Sequence, residues 1–374
     1  MRVLVTGCRG FLGTNLVVRL RERGGITVLE SHRGHSRDAL GESVRQADVI
    51  FHLAGVNRPR DEAEFVTGNA TLTADVCAFA RQAVRPIPVV LSSSIQADRA
   101  NGYGISKKMA EDLVMRYADD TGAACRIYRL PNVFGKWSRP NYNSAVATFC
   151  HNVARGLPIE IHDPSAPLRL VYVDDVCQEF LTMLDVDAAA AVAACATREV
   201  RPVYETTVGE VAAHIRSFAA SRINRTVGRV GHGLIRALYA TYLSFLPPEA
   251  FAHALTRHVD PRGEFAEVVR TEDSGQVSYF TAHPGVTRGG HYHHTKNEKF
   301  LVLRGHARFR FRDIRSGVEH HLDTHGGEPQ VVETVPGWAH DITNVGSEEL
   351  VVMLWANEAF DPTRPDTVAA GLQG

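Results

Sequence analysis

The chain changes its hydrophobic period part-way along, and that change limits the folds open to it. Up to about residue 245, short β-branched runs (RVLVTG, ITVLES, DVIFHLAGV, PVVLSSS, CRIYRLPNVFG) alternate with longer amphipathic stretches such as TNLVVRLRERG and KKMAEDLVMRYADDTG. Such alternation predicts βαβ units wound into a doubly wound, Rossmann-type parallel sheet. Beyond the FLPP segment, Phe245 to Pro248, runs of alternating pattern follow one another (QVSYFTA, KFLVLRG, HARFRFRDI, QVVETVP, LVVMLWANE), punctuated by Gly, Pro, Asn or Asp. That texture predicts an all-β sandwich or barrel. The expected division is an α/β domain over 1–245 and an all-β domain over 250–374.

A chain of 374 residues, 44% hydrophobic and 22% charged, can fill two cores without disulfide or metal staples. Lys+Arg total 41 against 42 Asp+Glu, so no global basic field exists to gather nucleic acid, and an anionic substrate must be held locally. The opening MRVLVTG lacks the layout of a secretory signal. The longest apolar stretch, Ala188 to Ala196, lies between Asp187 and Arg198, far short of the roughly 18 to 20 residues that span a bilayer. Six cysteines without CxxC spacing read as buried thiols of a reducing compartment. A cytoplasmic protein without membrane insertion is expected.

Thr6-Gly7-Cys8-Arg9-Gly10-Phe11-Leu12-Gly13 sets three glycines between a strand and an amphipathic helix. Gly7, Gly10 and Gly13 suit a tight turn, close backbone approach to a pyrophosphate and helix-on-strand packing, with the helix N-terminus facing the anion. The second strand ends VLESHR, where an acidic side chain holds a ribose 2'-hydroxyl and an arginine holds a 2'-phosphate. Glu30 argues for NAD. Arg9 and Arg33 argue for NADP(H), which is favoured because two guanidiniums can clamp a dianion; as solvated surface charges they would carry no such meaning.

Tyr103-Gly104-Ile105-Ser106-Lys107 follows Ser92-Ser93-Ser94 at the end of an apolar strand. Positions four apart share a helix face, so Lys107 can sit beneath Tyr103, and its ammonium is expected to lower the phenol pKa from about 10 toward neutrality. A phenol so tuned protonates a carbonyl oxygen during hydride transfer, and a serine hydroxyl from the strand end can hold that oxygen.

These motifs together resemble the extended short-chain dehydrogenase/reductases, which act on nucleotide sugars. Thr6 to Gly13, His52-Leu53-Ala54-Gly55 on the fourth strand, Ser92 to Ser94, Tyr103/Lys107 and Arg129-Leu130-Pro131-Asn132 running into Phe134-Gly135 match in order, over about residues 1 to 243. The resemblance implies Tyr103 as acid/base, Lys107 as its partner and Ser94 as the carbonyl-holding hydroxyl. Ser93 remains the alternative, because the loop from Ser94 to Tyr103 is shorter than in that family. It further implies that Leu53, Ala54, Gly55, Tyr103 and Lys107 contact the dinucleotide, and that Asn132, Lys136 and Arg169 take the sugar and diphosphate.

In the second half, half of the 18 histidines fall between His283 and His340. Gly285-x5-His291-x-His293-x4-Glu298-x6-Gly305 sets two histidines two apart, on one strand face, with a carboxylate five residues later that can return on the next turn. His340, in Pro336-Gly337-Trp338-Ala339-His340, can supply a fourth ligand. Three imidazoles and one carboxylate suit zinc, and also iron, manganese or nickel. The pattern resembles the cupin barrel's first motif in full and its second in part, departing where Pro336 stands directly before Gly337. Tyr292, His294, Lys296 and Lys299 are further catalytic candidates, although strand alternation points Lys299 away from the Glu298 face.

A ketone acidifies the neighbouring C–H, and a metal that polarises the carbonyl permits inversion at that carbon; hydride addition then fixes the new configuration. The whole chain is similar to bifunctional enzymes of capsule and O-antigen sugar synthesis, through the run Gly290 to Phe300, Trp355-Ala356-Asn357-Glu358 and Phe360-Asp361-Pro362. The resemblance implies that the cupin epimerises carbon 3 of a UDP-2-acetamido-2,6-dideoxy-4-hexulose. NADPH reduction at carbon 4 then gives the UDP-2-acetamido-2,6-dideoxy-L-talose precursor of N-acetyl-L-fucosamine. A homodimer through the cupin is implied as well. The rival reading makes the barrel a structural, dimerising or sugar-binding module and leaves the first domain as sole catalyst.

Overall fold

The computed structural model describes residues 1–185, 195–363 and 365–372. Most of the Ala188 to Ala196 stretch lies outside the described residues. Two compact units are present: Met1–Ile215 with Ala237–Leu246, and Arg216–Arg236 with Pro247–Gly374. This differs from a single cut near 245. The short strand Thr226–Val227 pairs with the edge of the second unit's sheet, and Arg225 Nε reaches Glu267 Oε1 at 3.0 Å, so residues 216–236 group with the all-β part.

The first unit is built on β1 (Arg2–Thr6), β2 (Thr27–Ser31), β3 (Val49–His52), β4 (Val89–Ser94), β5 (Cys125–Leu130) and β8 (Cys195–Arg198). They form one parallel sheet in the order β2-β1-β3-β4-β5-β8. Val3, Leu4 and Val5 are fully buried, as expected of a parallel strand covered on both faces. The helices fall into two packed groups: α1 (Phe11–Arg21) with α7 (Val173–Leu181), and α2 (Arg37–Gln46) with α4 (Leu72–Arg81) and α5 (Gly102–Thr121). The His52 strand is third in the chain, not fourth, since α2 is the only regular element between it and β2. The chain leaves β1 for β2 on one side and returns to β3 on the other, so the carboxyl ends of β1 and β3 form the switch-point crevice. A smaller sheet, β6 (Asn132–Phe134), β7 (Pro167–Tyr172) and β9 (Tyr204–Thr207), follows β5.

The second unit carries two sheets. One runs β10 (Thr226–Val227), β12 (Gly263–Thr271), β13 (Gln276–Ala282), β20 (Leu350–Ala356), β15 (Glu298–Arg304), β18 (Val331–Glu333), with β11 (Arg257–Asp260) on β12. The other runs β17 (Glu319–His325), β16 (His306–Asp313), β19 (Trp338–Asn344), β14 (Thr287–Tyr292), β21 (Val368–Ala369). Period-two alternation puts Ala307, Phe309 and Phe311 of β16 inside, where they join Phe280, Phe300, Val302, Ile342 and Val352 in one core drawn from both sheets. Glu298 shares the buried face of β15 with Phe300 and Val302. No helix among the described residues is long and apolar enough to cross a membrane.

Candidate functional site

The glycine turn closes the end of β1. Gly7 has φ 69°, and a Cβ there would stand 2.8 Å from the Ala54 backbone; one on Gly13 would stand 2.1 Å from the Gly7 carbonyl. Only glycine lets the turn fold against the end of β3 and lets α1 start so close to it. Thr6 Oγ1 accepts from the Ala54 N–H at 3.2 Å and meets His52 Nδ1 at 2.7 Å. On the far side of the ring, His52 Nε2 lies 2.9 Å from Thr73 Oγ1, whose proton goes to the Asn69 carbonyl. Since Thr73 already donates, His52 carries its proton on Nε2 and Thr6 donates to Nδ1. Burial pushes the His52 pKa down to about 3, with the charge of Lys107 adding to the effect. Leu53, Ala54 and Gly55 are thereby fixed beside the turn.

At the rim, Glu30 is drawn to Arg21 in an ion pair. Neither Arg9 nor Arg33 is paired with a carboxylate among the described residues, and both are exposed.

Asn101 caps α5, its Oδ1 accepting from the Gly104 N–H at 2.8 Å, which places Tyr103 in the first helical turn. Gly104 is needed because the short loop passes over it: a Cβ would lie 2.4 Å from the carbonyls of Gln96 and Arg99. The three serines separate by role. Ser94 Oγ accepts from the Gln96 N–H at 3.1 Å and lies near enough to the Tyr103 phenol to pull its pKa down. Ser93 Oγ donates to Glu111 Oε1 at 2.6 Å, and Ser92 Oγ donates to the His52 carbonyl at 3.4 Å. Buried Glu111 also takes a two-pronged pair from Arg129, which reaches on to Asp98 in the short loop.

The expected lowering of the Tyr103 pKa by Lys107 does not appear. Burial raises it, and the nearby Ser94 hydroxyl works in the opposite direction. Lys107 Nζ instead donates to the Ser92 carbonyl at 2.8 Å, and burial brings its own pKa down to about 8 against the pull of Glu111. Desolvation outweighs the neighbouring charge here.

Sequence reasoning missed Asn69. It sits on a π-helical stretch, Val66–Thr71, and its side chain bonds both the N–H and carbonyl of Val56 at 2.8 and 3.0 Å and Ser106 Oγ at 2.9 Å. This ties the loop after β3 to the helix bearing Tyr103 and Lys107. Of the substrate-side expectations, Asn132 is exposed at the start of β6. Lys136 is held by Asp174 at 2.5 Å, and Arg169 lies 3.8 Å from Glu205 on the next strand.

In the second unit, His291, His293, Glu298 and His340 offer ligand atoms all within 4.8 Å of one another. A bulge delivers the first: Gly289 and Gly290 have φ 101° and 81°, the register slips between Gly289 and His291, and His291 comes opposite His340. Glu298 Oε2 lies 3.3 Å from His293 Nε2 and 3.5 Å from His340 Nε2; the latter nitrogen is buried and makes no hydrogen bond. The outer nitrogens are occupied, His293 Nδ1 by the Asp366 carbonyl and His340 Nδ1 by that of Trp338 at 3.3 Å. Each ring therefore turns Nε2 inward. Glu298 is held far below the usual carboxylate range by the imidazoles and Lys296, although burial opposes this, and burial brings His291 down to about 4. An orphaned buried imidazole nitrogen amid an ionised carboxylate and two further imidazoles is the donor set a divalent cation fits.

Lys296 Nζ lies 3.0 Å from Glu298 Oε1 and is buried, whereas Lys299 points outward to Glu333. Tyr292 and His294 stack edge-on at 5.4 Å. Asp366 was not anticipated: its carboxylate accepts from the backbone N–H groups of His294, Thr295 and Lys296 at 2.7 to 3.2 Å, fixing the loop between the ligand strands.

Residues 3–193 match the NAD dependent epimerase/dehydratase family, and residues 258–368 match the polysaccharide biosynthesis C-terminal domain. The chain belongs to the NAD dependent epimerase/dehydratase family. Membership implies a nicotinamide dinucleotide as the cofactor of the first unit. A Pseudomonas aeruginosa protein named UDP-2-acetamido-2,6-beta-L-arabino-hexul-4-ose reductase is 54% identical over 372 residues, covering 100% of this chain and 99% of its own. The crystal structure of the capsular polysaccharide assembling protein CapF from Staphylococcus aureus superposes with TM-score 0.91 at 38% identity, covering 100% of both chains. UDP-glucuronic acid 4-epimerase from Bacillus cereus shares the family fold over 66% of this chain and 98% of its own, with TM-score 0.55 at 15% identity.

Proposed function

We propose that the chain is a bifunctional enzyme of nucleotide-sugar synthesis for capsule or O-antigen polysaccharide. Its second unit, a cupin, epimerises carbon 3 of a UDP-2-acetamido-2,6-dideoxy-4-hexulose. Its first unit reduces carbon 4 with NADPH to give UDP-2-acetamido-2,6-dideoxy-L-talose. The observation that carries this reading is the end-to-end likeness to a protein named as a UDP-linked hexul-4-ose reductase.

In the first unit, Tyr103 gives its phenolic proton to the carbon 4 oxygen and Ser94 holds that oxygen by its hydroxyl. Lys107, anchored on the Ser92 carbonyl, brings positive charge to the same helix face and steadies the phenolate left behind. A bound NADPH supplies the hydride. NADPH is favoured over NADH because Arg9 and Arg33 have no carboxylate partner among the described residues while Glu30 is taken by Arg21.

In the second unit, His291, His293, Glu298 and His340 hold a divalent cation, for which we propose zinc. That ion supplies positive charge that makes the hydrogen on carbon 3 more acidic. The Asp366 carbonyl and the Trp338 carbonyl keep the ligand rings oriented. We further propose a cytoplasmic homodimer. Leu301, Leu303, Val331 and Met353 lie side by side on the outward face of neighbouring strands, an apolar row that a second copy would cover.

The test is to offer the 4-keto UDP-sugar in deuterium oxide. Deuterium at carbon 3 without NADPH, and a product inverted at carbon 3 and reduced at carbon 4 with it, support the reading. A metal-loaded protein that reduces carbon 4 with no exchange at carbon 3 leaves the barrel as a non-catalytic module and overturns the bifunctional assignment.

A further inference from the structure

Two loops meet over the carboxyl ends of the first unit's strands. One, Val56 to Arg60, leaves β3 just after Gly55, which borders Lys107 Nζ and Asn69. The other, Lys136 to Ser144, follows β6; its first carbonyl accepts from Asn15 Nδ2 at 3.2 Å, on the helix that starts at the glycine turn. Each loop is thus anchored at one of the two features that define the crevice.

They are joined through Tyr142. Arg58 Nη1 donates to the Tyr142 carbonyl at 2.5 Å, and the Tyr142 hydroxyl donates to Asn57 Oδ1 at 3.2 Å. The Arg58 guanidinium lies 5.9 Å from the centre of the Tyr142 ring and that of Arg139 lies 5.1 Å from it. One exposed aromatic ring therefore orders two guanidiniums from two loops. Neither arginine is paired with a carboxylate among the described residues, unlike Lys136 with Asp174 and Arg169 with Glu205.

The loop is also held against backbone preference. Trp137 has φ 66° and Asn141 φ 54°, and Trp137 is 51% exposed. A bulky residue in the left-handed region costs energy that burial does not repay here, the pattern of a segment shaped for a ligand.

We propose that Arg58 and Arg139, ordered by Tyr142, grip the diphosphate of the nucleotide-sugar substrate. This rests on the nucleotide-sugar reading above. Two forked cations without acidic partners match a diphosphate, which offers several charged oxygens in a row. The dinucleotide carries a diphosphate too, but the backbone turn at Gly7 and Gly10 is built for that one. The grip therefore belongs to the substrate, and Lys136, held by Asp174, and Arg169, which faces Glu205 at 3.8 Å, are the lesser contributors.

The experiment titrates UDP alone and NADPH alone, by calorimetry, into wild-type protein, Arg58→Gln, Arg139→Gln and the double variant, with reduction of the 4-keto UDP-sugar assayed in parallel. The double variant is expected to raise the Kd for UDP about tenfold or more and to flatten its salt dependence, with the Kd for NADPH changed by less than about twofold. Arg58→Lys, which keeps charge without the fork, is expected to fall between, and it serves as the measure should a glutamine variant fold poorly. Unchanged UDP affinity, or an equal loss for NADPH, overturns the proposal. Wild-type protein that fails to reduce the keto sugar would instead overturn the reading on which the proposal rests.

Discussion

Ser93 donates its hydroxyl to buried Glu111 at 2.6 Å, while its neighbour Ser94 accepts from the Gln96 N–H at 3.1 Å. Adjacent hydroxyls on one strand end are thus committed to different partners. Ser94→Ala is expected to lower kcat for carbon 4 reduction by roughly 100-fold with little change in stability. Ser93→Ala leaves a buried carboxylate short of one donor and is expected to cost about 1 to 3 kcal/mol of stability while keeping most of the turnover. Steady-state kinetics beside urea unfolding read both, and equal kinetic losses would contradict the division.

Lys107 titrates near 8 in this fold and is cationic below that value. If its charge supports Tyr103, kcat/KM for reduction declines as pH rises through about 8. Lys107→Arg, which stays charged, is expected to be slower at neutral pH but to lose that alkaline limb. A variant with the same limb as wild type would assign the titration to another group.

His52 is neutral in the fold, with its pKa brought from 6.5 to about 3. The unfolded chain binds the proton more readily, so this contribution to stability is complete above about pH 6.5 and is lost as pH falls toward 3. Its full extent is on the order of 5 kcal/mol. Urea midpoints of wild type and His52→Asn between pH 7 and 4.5 are expected to converge on acidification. Parallel curves would show that the imidazole does not carry the effect.

Asp366 holds the loop between the ligand strands without touching the four ligand atoms. Asp366→Ala is expected to weaken zinc binding roughly 10- to 100-fold and to reduce exchange at carbon 3 in step, leaving NADPH oxidation on a pre-epimerised substrate unchanged. Competition with a chromogenic chelator measures the first effect. His291→Ala, which removes a ligand, is expected to abolish metal binding and exchange together.

Much of this was legible because the chemistry is local. The glycine turn, Tyr103 with Lys107, and His291, His293 and Glu298 each lie within a dozen residues, where strand and helix periods decide which side chains share a face. What escaped is held across the fold. Asn69 matters through Val56 and Ser106, and Asp366 through a loop about 70 residues earlier. Nothing near either residue in the chain announces those partners. The direction of the Tyr103 shift was misjudged because a charge at helical spacing can be counted from sequence, whereas the desolvation that opposes it depends on how the short Ser94-to-Tyr103 loop closes over the helix.

The irregularity at Gly289 and Gly290 sets the two ends of β14 in opposite phase, one counting from Thr287 and the other from His291. Were residue 290 to pair with His340 in an unbroken ladder with β19, residue 291 would fall opposite Ala339 and its imidazole would turn to the other side of the sheet. Improved strand pairing would remove His291 from the candidate metal site, so substitutions that regularise this edge are ones selection should refuse.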